Sequence, residues 1–214
     1  MTAPCANGLS VRRLACRRGE VTLFSQLDFD VRPGDLMQIA GPNGSGKTSL
    51  LRLLAGLALA DEGEVSWCGE AIDRQRAVFN AAMTFLGHKD GVKARLTPLE
   101  NLAVEARLGG GAPFDRVTGL AALQRLGLAH RQDLPCRRLS AGQCRRVALA
   151  RLLVHGKPLW ILDEPLTALD AAGRVEVEQL LLHHVTVGGM AVFTTHHGLR
   201  LAGLRTVMLG AGEA

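Results

Sequence analysis

Apolar and polar positions alternate in two early segments of the chain and then give way to a short, mostly apolar run. The alternation over residues 9–14 and 21–31 predicts two strands joined by a turn at Arg18-Gly19. The apolar run 36–40 predicts a buried strand, and leucines at helical spacing predict a helix over 47–54. The first quarter of the chain is therefore predicted to be rich in strands.

The remaining pattern predicts a strand–helix core interrupted by a helical block. Further strands are predicted at 63–67, 83–86, 159–162, 191–195 and 206–209, with a helix over 171–187. Residues 97–154 have a helical pattern that starts at Pro98. We therefore expect one α/β domain, with a core of residues 1–96 and 155–214 and an inserted helical lobe of residues 97–154.

Length and composition fit a single folded domain. The chain has 214 residues, of which 47% are hydrophobic, so there is ample material for one core. No apolar run approaches the ~18–20 uncharged residues that cross a bilayer, and residues 1–10 lack the pattern of a secretory signal. We expect a protein on the cytoplasmic side, so any membrane process would need other subunits.

Cysteine usage and charge exclude several functions. Five cysteines without a Cys-x-x-Cys pair argue against a disulfide framework, a zinc ribbon or covalent haem attachment. The net charge of +5 invites a nucleic-acid interpretation, but the arginines are dispersed, tyrosine is absent and aromatic residues make up only 4%. We expect no nucleic-acid binding, because nucleotide phosphates and a protein partner account for the charge.

A phosphate-binding loop follows the predicted strand 36–40. It matches G-x-x-x-x-G-K-[ST] with Gly41, Pro42, Asn43, Gly44, Ser45, Gly46, Lys47 and Thr48. Glycines allow successive N–H groups to point at phosphate oxygens, and the helix that follows presents its unpaired N-terminal donors. Lys47 is expected to reach the β- and γ-phosphates, and the Thr48 hydroxyl to ligate Mg²⁺.

An acidic pair ends the apolar strand 159–162. A carboxylate at the end of a buried strand is costly unless it meets a cation, so Asp163 is predicted to hold Mg²⁺ beside Thr48. Glu164 is predicted to orient and deprotonate the attacking water. The alternative for Asp163 is a helix N-cap.

A third motif, Leu-Ser-Ala-Gly-Gln at 139–143, precedes a predicted helix. Ser140 suits the N-cap of that helix. A helix N-terminus with an exposed serine and glycine is also suited to receive a phosphate. On the sequence alone, both interpretations stay open.

The three motifs, in this order, resemble the nucleotide-binding domain of ABC transporters. The resemblance covers nearly the whole chain and implies a P-loop NTPase core of ABC type, with a RecA-like mixed sheet, an antiparallel N-terminal β subdomain and an inserted α-helical lobe. It also implies binding and hydrolysis of ATP with Mg²⁺. The short spacing between Thr48 and Leu139 excludes the relatives in which a long coiled coil separates the motifs.

The resemblance implies a role for several further residues. Ser140 and Gly142 of one copy would contact the γ-phosphate held by the phosphate loop of a second copy, in a head-to-tail dimer. Asp170 matches the loop that connects the two sites. His196 matches the switch histidine that contacts the γ-phosphate, which places it with Lys47 and Glu164 among the catalytic residues.

The chain departs from the pattern of this family at two positions. His88 stands where the family usually has a glutamine that senses Mg²⁺ and the transport partner, and histidine is shorter and titrates near neutral pH. Arg18 stands where an aromatic side chain often stacks on adenine. A guanidinium can stack on a base, and a solvated surface charge is the alternative.

The segments 87–93 and 96–102, with the residues that follow Ser140, resemble more narrowly the ATP-binding subunit of the bacterial cytochrome c maturation system. That resemblance implies integral membrane subunits as partners, a peripheral place on the cytoplasmic face of the inner membrane, and a role in haem export or haem chaperone release. No Cys-x-x-Cys-His is present, so we expect no direct haem binding. The alternatives are the ATPase of another ABC transporter and a soluble ABC ATPase without a membrane partner.

Overall fold

The strands form two sheets in the computed structural model, which describes residues 8–109, 113–199 and 201–210. The first sheet is antiparallel in the order β2-β1-β4-β5 and consists of β1 (Leu9–Arg18), β2 (Val21–Val31), β4 (Glu62–Trp67) and β5 (Glu70–Ala71). The second is parallel in the order β6-β7-β8-β3-β9 and consists of β3 (Leu36–Ala40), β6 (Met83–Leu86), β7 (Leu159–Leu162), β8 (Met190–Thr194) and β9 (Leu204–Met208). Parallel and antiparallel strand pairs, both expected from the fold class, thus lie in two separate sheets.

Six α-helices accompany these strands in the described part of the chain: α1 (Lys47–Leu54), α2 (Arg76–Ala82), α3 (Pro98–Leu108), α4 (Arg116–Arg125), α5 (Ala141–His155) and α6 (Ala171–Thr186). Helix α2 and strand β5 were not predicted. Only Phe79 is buried among the seven residues of α2, so this helix shows no helical periodicity in the sequence, and β5 is too short to show a pattern. None of the described helices is long and apolar enough to span a bilayer.

The three inner strands of the parallel sheet, β3, β7 and β8, are packed on both faces. Along β3, Met37 and Ile39 pack into one hydrophobic cluster with α1 and the antiparallel sheet, whereas Leu36 packs into a second cluster on the other face. Strand β7 divides in the same way, with Ile161 in the first cluster and Trp160 in the second. Burial on both faces explains why these strands are almost entirely apolar in the sequence.

The helices of the inserted region share the second cluster. Leu102 of α3, Leu123 of α4 and Leu149 of α5 are buried in the same cluster as Trp160 and Phe193 of the parallel sheet. One packed core therefore joins α3, α4 and α5 to the sheet, and it fixes the direction in which α5 approaches the carboxyl end of β7.

The carboxyl ends of three neighbouring strands define one edge of the molecule. Strand β8 lies between β7 and β3, so the segments that follow these three strands emerge side by side. Ligands of open parallel sheets bind at this edge. The phosphate loop follows β3, the acidic pair follows β7, and His196 lies just after β8.

Candidate active site

The phosphate loop leaves the start of α1 open to a ligand. Gly46 precedes the helix with φ of 93° and provides no side-chain cap. A Cβ atom at Gly46 would lie 3.0 Å from Cβ of Leu23, so glycine suits both the conformation and the space. The first helical hydrogen bond runs from Leu50 N–H to Gly46 O, over 2.8 Å. The preceding N–H groups of the helix therefore have no helical acceptor and are available to an anion.

Lys47 is folded over this loop. Its Nζ donates to Gly41 O at 2.8 Å and to Pro42 O at 2.9 Å. Both acceptors are neutral carbonyl groups, so the positive charge of Lys47 remains to attract phosphate oxygens.

Asp163 is a buried carboxylate held by two hydroxyl groups. Its side chain follows β7, and the residue is 3% exposed. Oδ2 accepts from Thr48 Oγ1 at 3.0 Å, and Oδ1 accepts from Thr194 Oγ1 at 2.7 Å. The alternative role as a helix N-cap is wrong, because Asp170 caps the next helix, α6. Thr48 and Asp163 thus present converging oxygen atoms, the ligand type that Mg²⁺ prefers, so these residues fit the ion.

Glu164 is buried in a backbone conformation that few residues other than glycine adopt, with φ of 51°. Its N–H donates to Thr194 Oγ1 at 3.0 Å, and its Oε2 accepts from the N–H of His196 at 3.3 Å. Oε1 lies 3.4 Å from Nε2 of His196 and makes no hydrogen bond within the described residues. A buried carboxylate oxygen without a hydrogen bond is suited to accept one from a water molecule.

These side chains line one cavity of about 350 Å³. The structure brings together residues predicted from the phosphate loop, the acidic pair and the two histidines: Asn43, Gly44, Gly46, Lys47, Thr48, His88, Asp163, Glu164 and His196. Arg18 also lines this cavity, together with Leu23. Both departures from the family pattern therefore face the space where a nucleotide would lie.

Ser140 and Gly142 lie elsewhere. Ser140 caps α5 in a reciprocal arrangement, in which its Oγ accepts from Gln143 N–H at 3.2 Å and Oε1 of Gln143 accepts from Ser140 N–H at 3.0 Å. A Cβ atom at Gly142 would lie 2.6 Å from Ala168 O, so the loop before α6 packs closely against this turn. Both residues line a second cavity, of about 490 Å³, which also includes Asp170. Neither of them lines the first cavity.

Asp170 is fixed at the start of α6. Its Oδ1 accepts from Gly173 N–H at 2.9 Å and from Nη2 of Arg146 at 3.0 Å. The hydrogen bond from Gly173, with help from the Arg146 guanidinium, lowers the pKa of Asp170. Arg146 also donates to Glu176 at 3.0 Å, and it therefore ties α5 to the first turns of α6.

Three residues that organise the site were not predicted: Thr194, Arg145 and Arg146. Thr194 stands inside the predicted strand 191–195, where its buried neighbours gave no sign of a polar role. The two arginines counted as part of the dispersed positive charge and of the segment after Ser140 that carries the narrower resemblance, without a role of their own. Of the two arginines, Arg145 contacts the turn of Glu164, and it is buried and fully hydrogen-bonded.

The fold and this site define an ATPase of the ATP-binding-cassette type, which hydrolyses ATP to ADP and phosphate. The family model described as ABC transporter matches residues 24–167. A cytochrome c biogenesis ATP-binding export protein, CcmA, from Nitrosomonas europaea is 52% identical over 191 residues, which cover 89% of each chain. CcmA from Hahella chejuensis is 47% identical and covers 95% of this chain and 96% of that protein. The chain belongs to the CcmA family of ABC transporter ATP-binding proteins.

Solved structures support the fold. An ATP-binding protein of a putative ABC transporter from Pyrococcus furiosus superposes with a TM-score of 0.83 at 22% identity and covers 94% of this chain and 96% of that one. A dimeric ATP-binding cassette in a post-hydrolysis state, bound to ADP and Pi, superposes with a TM-score of 0.79 at 24% identity, and the match covers 94% of both chains.

We predict that Thr194→Val destabilises the fold and slows ATP turnover. The substitution leaves Asp163 Oδ1 and the N–H of Glu164 without their buried partner, at a cost of about 1–3 kcal/mol in unfolding free energy. Denaturant unfolding and steady-state ATPase assays measure the two effects. Thr84→Val is the matched control, because the Thr84 hydroxyl is buried without a hydrogen bond among the described residues. Equal losses in both variants would contradict the role given to Thr194.

Proposed function

We propose that this chain supplies ATP hydrolysis to an inner-membrane complex that acts in haem export or haem chaperone release during maturation of c-type cytochromes. It works on the cytoplasmic face of the membrane, bound to integral membrane subunits. Two copies join head to tail around the nucleotides. The printed names of the relatives, cytochrome c biogenesis ATP-binding export proteins, support the process.

The proposed dimer is supported mainly by the distance between two groups of residues on one chain, those of the phosphate loop with the acidic pair and those at the start of α5, which we call the two half-sites. Lys47, Thr48, Asp163 and Glu164 line one cavity, whereas Ser140 lines another on the same chain. The start of α5 therefore does not face the phosphate loop of its own chain. A second copy placed head to tail brings the two halves together, and such closed, symmetric pairs are common among soluble oligomers.

The residues of the first cavity have distinct tasks in hydrolysis. Lys47 and the open N–H groups of the loop bind the β- and γ-phosphates. Thr48 and Asp163 hold Mg²⁺, which supplies positive charge to the phosphate oxygens when it is bound. Glu164 takes the proton of the attacking water, and His196 contacts the γ-phosphate and keeps the Glu164 carboxylate directed into the cavity.

His88 and Arg18, the two departures from the family pattern, perform the tasks of the usual glutamine and aromatic residue with different chemical groups. His88 is exposed in the cavity, where a ring nitrogen can hold water bound to the metal ion. Arg18 is exposed at the same cavity beside Leu23, and its planar guanidinium stacks on the adenine base.

Glu164→Gln is expected to separate ATP binding from turnover. Glutamine has the shape of glutamate but cannot accept the proton of water, so turnover falls by about 10²–10⁴-fold while ATP affinity is retained. ATP then accumulates in a dimer that size-exclusion chromatography detects. Lys47→Ala is the contrasting variant, because it weakens binding itself. Rapid hydrolysis by Glu164→Gln would refute the role of Glu164 as base.

Mixed dimers test whether the site is shared between two copies. Lys47→Ala removes the phosphate-loop half, and Ser140→Glu places a carboxylate where the γ-phosphate of the other copy would lie, so each variant alone is inactive. Mixing the two purified variants creates a dimer with one intact composite site, and ATPase activity partly returns. Ser140→Glu alone with full activity, or a mixture that stays inactive, would rule out the head-to-tail arrangement.

Fractionation tests the membrane partner. Co-expressed with integral membrane subunits of cytochrome c maturation, the chain is expected in the membrane fraction and in the detergent-solubilised complex. The same chain expressed without those subunits is the control. If it stays wholly in the soluble fraction when the subunits are present, the transport role fails and a soluble ABC ATPase replaces it.

A further inference from the structure

Arg145 is a buried guanidinium on α5, and its side chain is 3% exposed. All five of its N–H donors are used: Nε donates to Pro165 O at 3.3 Å, Nη2 to Asp163 O at 2.9 Å and Glu164 O at 2.6 Å, and Nη1 to Gly87 O at 3.2 Å and Asp90 Oδ1 at 2.7 Å. A buried charge is stable only with such complete satisfaction. Arg145 is therefore a fixed point of the structure rather than a mobile surface charge.

One side of this guanidinium holds the turn that carries Glu164. Its Nε and Nη2 bind three consecutive carbonyl groups, those of residues 163–165. Glu164 has φ of 51°, an unfavourable conformation that persists only when surrounding groups hold it. Thr194 binds its N–H and Arg145 binds its C=O, so the main chain of Glu164 is held on both sides.

The other side holds the loop that follows β6. Nη1 binds Gly87 O and the carboxylate of Asp90, which flank His88 and Lys89 in sequence. Asp90 is the charged member of the five acceptors, and its side chain is 28% exposed. One rigid, planar group thus joins the loop that contains His88 to the turn that contains Glu164.

We propose that Arg145 is a positioning residue for ATP hydrolysis, which fixes the Glu164 carboxylate in the cavity and couples its position to the loop 87–90 through Asp90. The inference rests on the proposed role of Glu164 as base. Lysine cannot replace Arg145, because an ammonium group lacks the planar fork that reaches acceptors in two segments at once. A displacement of the loop 87–90 is transmitted to the turn of Glu164 through this side chain.

The first test compares kcat with KM for the purified full-length protein. Arg145→Lys keeps the charge and is expected to lower kcat by up to about 100-fold, the loss typical of a misplaced catalytic group. KM for ATP and the affinity for a fluorescent ATP analogue change little, because Lys47 and Thr48 are untouched. A loss of affinity that parallels the loss of kcat would overturn the proposal, since it would indicate general damage to the site.

Arg151→Lys is the matched control. Arg151 lies on the same helix with a side chain that is 11% exposed; its Nη2 forms an ion pair at 3.8 Å with Glu105 on α3, and neither Nε nor Nη2 makes a hydrogen bond within the described residues. Its kcat is expected to stay near that of the unmodified protein. A fall in kcat equal to that of Arg145→Lys would mean that any buried arginine of α5 has this effect, and the specific role would be lost.

A double-mutant cycle tests whether Arg145 acts through Glu164. If it does, Arg145→Lys lowers kcat in the unmodified protein but leaves the residual turnover of Glu164→Gln unchanged. The same fold-loss in both backgrounds would overturn the proposal. Rapid hydrolysis by Glu164→Gln alone would instead refute the proposed base, so the two failures are distinguishable.

Asp90→Asn tests the contact between Arg145 and the loop 87–90, and it remains informative if Arg145→Lys does not fold. Asparagine keeps an acceptor oxygen and removes the charge, so kcat is expected to fall less than in Arg145→Lys, again with KM unchanged. Full activity of Asp90→Asn would overturn the coupling of the loop 87–90 to Glu164.

Discussion

The buried carboxylate of Asp163 is the constraint around which the site is arranged. A charge at the end of an apolar strand is unfavourable unless donors reach both of its oxygens. Thr48 and Thr194 supply those donors from α1 and from the end of β8. Both can do so because β8 lies between β7 and β3, so the segments after the three strands meet at one edge.

The hydrophobic cluster shared by α3, α4, α5 and the parallel sheet determines where Ser140 lies. Helix α5 is capped by Ser140 and buries Leu149 against the second face of the parallel sheet, in the cluster that contains Trp160. Arg145 and Arg146 then bind the turn after β7 and the start of α6. These contacts set the direction of the start of α5 relative to the nucleotide cavity, and the proposed head-to-tail pairing depends on that direction.

Much of this arrangement was predictable from the sequence because it depends on local pattern. The strand 159–162 is a continuous apolar run and the strand 36–40 is apolar apart from Gln38, since both of their faces are largely buried. The phosphate loop is readable because its conformations require glycine at fixed spacing. The antiparallel N-terminal sheet was expected only from the resemblance, and the strand order within each sheet was not predictable, because pairing joins residues distant in sequence. The role of Arg145 was not predicted for a related reason. Four of its five acceptors are main-chain carbonyl groups, which every residue type has, so the sequence does not identify them.

The start of α1 has a thermodynamic consequence. Side chains cap the first turn of α3, α4, α5 and α6 but not of the short α2, and α1 follows Gly46 without such a cap. Part of the hydrogen bonding that completes this helix is thus left for a phosphate group. A ligand that binds the folded chain and not the unfolded one shifts the folding equilibrium by mass action. A nucleotide at concentrations well above its dissociation constant therefore stabilises the folded chain against unfolding, apart from any turnover.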